Sequence, residues 1–173
     1  IFIIQGERFV YANPATEAIL AYPAGELFAL RFWDVVHPED RETVRARGLA
    51  RQRREQVIPR YEFRVVTRNG DTRWVDFSAT FIGFEGGPAM MGAAFDITNL
   101  KLALEALGES EEKYRLLVEN ANDAIFIIQD GRIVFANPCT WESLGCSPEH
   151  LAAVPFQDFI HPEDREPVRT AYI

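Results

Sequence analysis

The chain has 173 residues, 47% hydrophobic and 25% charged, with 18 basic against 26 acidic side chains and a formal net charge of −8. Such a length holds one domain, or one and part of another, with enough apolar material for a real core. The composition excludes a collagen, a disordered tail and a disulfide scaffold, and no run approaches the roughly 20 apolar residues of a membrane-spanning helix. The acidic balance argues against broad affinity for nucleic acid or anionic membranes.

Ile1 to Gln5 is a short apolar run, Gly6-Glu7-Arg8 turns the chain, and Phe9 to Ala12 is a second run, which predicts a hairpin. Asn13-Pro14 opens a helix through Ala21, with Asn as N-cap and Pro at the first helical position. His37-Pro38 repeats the device, and Glu39 and Asp40 add negative charge where the helix dipole favours it. That helix is expected to run toward Arg54 or Glu55. From Val57 the period becomes two, with Tyr61, Phe63 and Val65 facing one way and Arg60, Glu62 and Arg64 the other. Asn69-Gly70-Asp71 is a tight turn, Trp74 to Phe84 a long strand, Glu85-Gly86-Gly87-Pro88 another turn, and Ala89 to Ile97 a further strand. Val75, Phe77, Ala79 and Phe81 share one face. All the strand connections that can be read are hairpins except the helical one, so the sheet should be antiparallel.

Thr98 to Glu119 reads as a charged amphipathic helix. Leu100, Leu104, Leu107, Glu111, Tyr114, Val118 and Ala121 form a seam of period 3.5, which suits either a dimeric coiled coil or a helix packed on its own domain. The rest of the chain repeats its beginning. Residues 125–173 match residues 1–49 without a gap, with 24 of 49 positions identical, including His-Pro-Glu-Asp-Arg at 37–41 and 161–165. Ser147-Pro148-Glu149 is a third capped helix start. The expected organisation is a first domain at 1–97, a linker helix at 98–122, and the first part of a second domain at 123–173, lacking its last three strands. A first residue that is not Met suggests a piece of a longer chain. The near-interchangeable copies invite strand swapping between neighbouring molecules.

The order of elements, with Ala12-Asn13-Pro14, the stretch Phe32-Trp33-Asp34-Val35-Val36-His37-Pro38-Glu39-Asp40-Arg41, Asn69-Gly70-Asp71-Thr72-Arg73-Trp74-Val75, Asp96-Ile97-Thr98, and Ser110-Glu111-Glu112-Lys113-Tyr114-Arg115, resembles the PAS domains of bacterial sensory proteins. The resemblance implies an α+β fold, with a five-stranded antiparallel sheet of order 2-1-5-4-3 and short helices on one face. It further implies a cytoplasmic input module that binds a small ligand or dimerises. Such a module signals through its exit helix to an output domain such as a histidine kinase or diguanylate cyclase. The other reading is a ligand-free repeat that only sets dimer geometry.

A pocket between sheet and helices would draw on Phe32, Trp33, Tyr61, Phe63, Phe77 and Met91. With no charged group evident there, an apolar or aromatic ligand is expected over a dicarboxylate. Asp96 and Thr98, with Arg73 and Trp74 beside them, mark the junction between last strand and exit helix. His37 and His161 read as helix-start residues and not as metal or haem ligands. Haem-binding relatives place a histidine on the long helix, and residues 42–55 contain none. The photoactive Asn-Cys-Arg-Phe motif of flavin-binding relatives has no counterpart at Ala29-Leu30-Arg31-Phe32-Trp33, which disfavours a covalent flavin adduct; the cofactor is otherwise unassigned. The cluster Arg41, Arg45, Arg47, Arg51, Arg53 and Arg54 reads as a solvated helix face. Cys139 and Cys146 read as reduced thiols. No catalytic constellation appears, so the chain is expected to be non-catalytic.

Overall fold

A computed structural model describes residues 1–53 and 55–171; Arg54 of the basic cluster lies outside them. The chain forms two compact units, Ile1–Glu105 and a second beginning at Ala106.

In the first unit, β1 (Phe2–Gln5) and β2 (Arg8–Ala12) form the expected hairpin, followed by α1 (Pro14–Leu20), α2 (Ala24–Leu27) and α3 (Pro38–Gln52). The strands β3 (Arg60–Val66), β4 (Thr72–Phe84) and β5 (Gly87–Asp96) complete a sheet of order β2-β1-β5-β4-β3 with every pairing antiparallel. The caps act as their chemistry requires. Asn13 accepts from the Thr16 backbone N–H, and His37 Nδ1 accepts from that of Glu39 at 3.4 Å. Helix α3 stops two to three residues short of expectation, because the Glu55 N–H reaches back to the Ala50 carbonyl and Arg53 closes an ion pair with Glu55. Strand β5 starts two residues before Ala89. Glu85 and Gly86 both adopt left-handed backbone (φ 46° and 79°), which makes a two-residue hairpin turn and leaves Gly87 and Pro88 to pair.

Alternation along each strand turns Phe2, Ile4, Phe9, Phe63, Val65, Val75, Phe77 and Met90 to one face, where the helices and their connections lay Leu20, Leu27, Phe32, Val35, Val36 and Val44 over them. The aromatic core is locked edge-to-face, Phe77 standing 5.4 Å from Tyr61 and 5.5 Å from Phe63 between ring centroids. Edge strand β3 is covered. The Val35 carbonyl accepts from the Val66 N–H, the Arg64 carbonyl from the His37 N–H, and the Asp40 carboxylate from the Arg64 N–H.

Helix α4 (Thr98–Glu119) has the expected bounds, and none of its residues is buried. Leu100, Leu104, Leu107 and Tyr114 of its seam are each more than half exposed among the described residues. In the second unit β6 (Phe126–Gln129) and β7 (Arg132–Ala136) repeat the hairpin, down to the same register shift. They are followed by α5 (Pro138–Leu144), α6 (Pro148–Ala153), two short 3-10 turns and α7 (Arg165–Ala171). Asn137 repeats the Asn13 cap and does more. Its Nδ2 donates to the carbonyls of Val118 and Asp123, tying the end of α4 to the hairpin. Among the described residues no helix is long and apolar enough to cross a membrane, and no three His, Cys, Asp or Glu side chains gather as a metal site.

Candidate functional site

Two features of the first unit carry chemistry: a cavity between sheet and helices, and the junction where β5 becomes α4.

The cavity has a volume of about 50 Å³ and is lined by core side chains, among them Phe32, Tyr61, Phe63 and Phe77 as expected from sequence. Trp33 and Met91 are elsewhere. Trp33 is buried behind Phe32, its ring between the guanidinium groups of Arg31 and Arg45 at 5.4 and 5.1 Å. Met91 points away from the helices because it pairs with Ile3 and Thr80. Its neighbour Met90 pairs with Ile4 and Phe81, and Met90 lines the cavity. Gly48 lets α3 approach: a Cβ there would stand 2.4 Å from the Phe32 ring.

The cavity also contains a charge that the sequence reading placed in solvent. Arg51 is 7% exposed and lines the wall. It lies on the stripe Val44, Gly48, Arg51 that α3 buries, and this spacing of four and three was the available signal. Arg41, Arg45 and Arg53 are exposed, so the solvated-face reading holds for them. The Arg51 guanidinium donates to the Ile58 carbonyl at 2.8 Å and lies 5.7 Å from the centre of the Phe77 ring. Burial pushes the Tyr61 phenol up, while the positive charges of Arg51 and Arg47 oppose that shift.

At the junction all four expected residues meet. The Asp96 carboxylate accepts from the Thr98 backbone N–H at 2.9 Å and from its hydroxyl at 2.5 Å. Arg73 reaches the other Asp96 oxygen at 3.4 Å and the Ala18 carbonyl of α1 at 3.1 Å. The Trp74 N–H donates to the Thr98 hydroxyl at 3.0 Å, and the Ile97 N–H donates to the Trp74 carbonyl at 2.9 Å. Thr98 therefore does not act as the N-cap: from the first turn of α4, its hydroxyl supplies the acceptor that a longer β5 would have offered to β4.

The junction extends to residues that were not singled out from sequence. Lys101 of α4 pairs with Glu62 at 2.5 Å and stands 5.2 Å from the Trp74 ring centre; Arg64 approaches the same ring at 5.6 Å. Arg64 in turn grips Asp40 through two nitrogens, at 3.0 and 2.8 Å, and Glu39 at 2.8 Å. These hydrogen bonds hold the Asp40 carboxyl below the usual carboxylate range. The alternation of Arg60, Glu62 and Arg64 opposite the core face was the clue to them.

Two family models match the chain: one described as the PAS fold over residues 9–94, and one described as a PAS domain over residues 112–171. A relative, the two-component sensor PprA of Pseudomonas aeruginosa, is 32% identical over 137 residues, covering 78% of this chain and 15% of that protein. Among solved structures, a sensory box histidine kinase/response regulator from Burkholderia thailandensis is 30% identical, over 62% of this chain and 82% of that one, with a TM-score of 0.45. A domain of a sensory box sensor histidine kinase/response regulator from Geobacter sulfurreducens is 31% identical, over 55% and 80%, with a TM-score of 0.45.

Proposed function

The chain belongs to the PAS family, and from that premise we propose that it is a sensory input module of a two-component sensor, passing a signal from the cavity through the Asp96–Thr98 junction into α4. The observation that carries this reading is the Trp74–Thr98 hydrogen bond. It makes one side chain part of both the sheet ladder and the exit helix, so a shift in β4 that keeps this bond carries the start of α4 with it. The cavity walls Phe77 and Val75 lie on β4 beside Trp74, which gives an occupant a short path to the junction. At about 50 Å³ the cavity suits an occupant of a few heavy atoms. Cofactor sites of the size that haem or flavin needs run to several hundred cubic ångströms.

The module is itself non-catalytic on this reading and relies on an output domain of the parent protein, of the histidine kinase or diguanylate cyclase type. It works as a cytoplasmic homodimer paired along the exposed seam of α4. A strand-swapped pairing is the second arrangement, because β6 repeats the Phe-Ile-Ile-Gln of β1, the strand that pairs with β5. The test is output from the full-length parent. Thr98→Val should uncouple its activity from the signal while Thr98→Ser preserves coupling, and equal responses would overturn the relay. Mass spectrometry of the protein purified under native conditions separates a ligand-binding sensor from a ligand-free scaffold.

A further inference from the structure

Arg51 is the one charged side chain buried among the described residues. A guanidinium stays ionised at any working pH, so its burial must be offset by partners. No carboxylate among the described residues pairs with it. One terminal nitrogen donates to the Ile58 carbonyl, and the other lies 4.0 Å from the Met90 sulfur, a weak acceptor. Its partners are a carbonyl, a thioether, the Tyr61 phenol and the face of Phe77, all of them uncharged, so the guanidinium charge has no anion beside it. Arg47, one turn earlier on α3, stands 4.5 Å from the centre of the Tyr61 ring, and it too has no carboxylate partner among the described residues. Arg51 and Tyr61 thus share one wall of the cavity, Arg47 stands outside the lining against the Tyr61 ring, and the remaining lining is apolar except for Thr16.

We propose that this wall is the anion end of the cavity and that its occupant is a short-chain aliphatic monocarboxylate. The carboxylate lies against Arg51 and the Tyr61 hydroxyl, with Arg47 adding positive charge, and the alkyl tail enters the apolar interior. This rests on the sensory reading and names its ligand class. A volume of about 50 Å³ offers roughly four water-sized positions at about 10–15 Å³ each, the size of propionate or butyrate. Because Arg51 is the one cation in the lining, a second carboxylate on the ligand would have no partner, which selects against dicarboxylates. Binding exchanges the Ile58 carbonyl on Arg51 for a carboxylate oxygen, which releases the connection between α3 and β3.

The experiment titrates the chain with butyrate and with butyramide, its neutral isostere, and follows NMR shifts of the cavity aromatic and methyl groups. Butyrate should bind at least about tenfold tighter than butyramide, the preference a charge-assisted carboxylate clamp supplies. Arg51→Met should abolish that preference. Arg51→Met also removes the tie to Ile58, so Arg47→Gln serves as a second variant that keeps the tie; it should lower the preference about threefold. Equal binding of the two probes overturns the monocarboxylate inference and leaves a ligand-sensing domain in place. Binding of neither overturns the inference alone, since the ligand-sensing reading is decided separately by mass spectrometry of the natively purified protein. An undiminished preference for butyrate in both variants overturns the assignment to this wall.

Discussion

Replacing Thr98 with Val tests the junction directly. The two side chains are nearly isosteric, both are β-branched, and their helix propensities are close, so the change removes a hydroxyl and little else. Two hydrogen bonds go with it. The partly buried Trp74 N–H loses its acceptor, and the Asp96 carboxylate loses a charge-assisted donor at 2.5 Å. An unsatisfied backbone donor costs about 1–3 kcal/mol, toward the low end where water has some access, and the exposed bond to Asp96 adds up to about 1 kcal/mol. A loss of about 2 kcal/mol is therefore expected, equivalent to a melting temperature lower by about 8–15 °C for a unit of this size. Thr98→Ser, which keeps the hydroxyl, should lose under about 1 kcal/mol. Urea denaturation followed by tryptophan fluorescence measures both, and hydrogen exchange at the Trp74 amide locates the loss. A Val variant within about 0.5 kcal/mol of the parent, with the Trp74 amide still protected, would refute a structural role for the hydroxyl.

Gly48→Ala should destabilise the first unit by about 1 kcal/mol in urea denaturation, since the clash with Phe32 outweighs the helix-propensity gain of roughly 1 kcal/mol. A more stable variant would mean that the Phe32 ring moves freely into the cavity. The Asp40 carboxyl is lowered in the folded state by Arg64, so its contribution to stability is present above its unfolded pKa of about 3.9 and is lost as pH falls through the lower folded value. Asp40→Asn should therefore be less stable than the parent at neutral pH and converge with it in acid, as measured by denaturation at stepped pH. Leu104→Glu with Leu107→Glu should leave monomer stability within about 0.5 kcal/mol, because both positions are exposed, and should abolish dimers in sedimentation equilibrium. Asn137→Ala should cost about 2–3 kcal/mol and open the amides around Val118 to exchange, through the loss of bonds to Val118, Asp123 and Ile125.

Much of the fold was legible because its determinants are local. An Asn or Ser before a Pro caps a helix whatever surrounds it, which is why the starts at Pro14, Pro138 and Pro148 fall where the sequence places them. The internal repeat is likewise a property of the string of residues, and both copies build the same hairpin and capped helix. The candidate sites were half legible. Four of the six pocket residues line the cavity, while the choice between Met90 and Met91 depended on the register of β5 against two other strands. The four junction residues lie together as the sequence places them, while the bond by which the Thr98 hydroxyl completes the ladder depended on how β4 lies beside the start of α4.

Arg51 marks the boundary between the two kinds of information. Its spacing from Val44 and Gly48 places it on the buried stripe of α3, yet composition makes it one arginine in a run of six, and an arginine on a helix is ordinarily solvated. The sequence by itself determined the elements, their caps, the antiparallel pairing and the repeat, since each follows from neighbours a few residues apart. Only the tertiary structure decided which arginine is buried, which methionine faces the cavity, and that the seam leucines of α4 are exposed. Those outcomes depend on which surfaces the folded chain brings together, and burial is a property of that packing and not of any one segment.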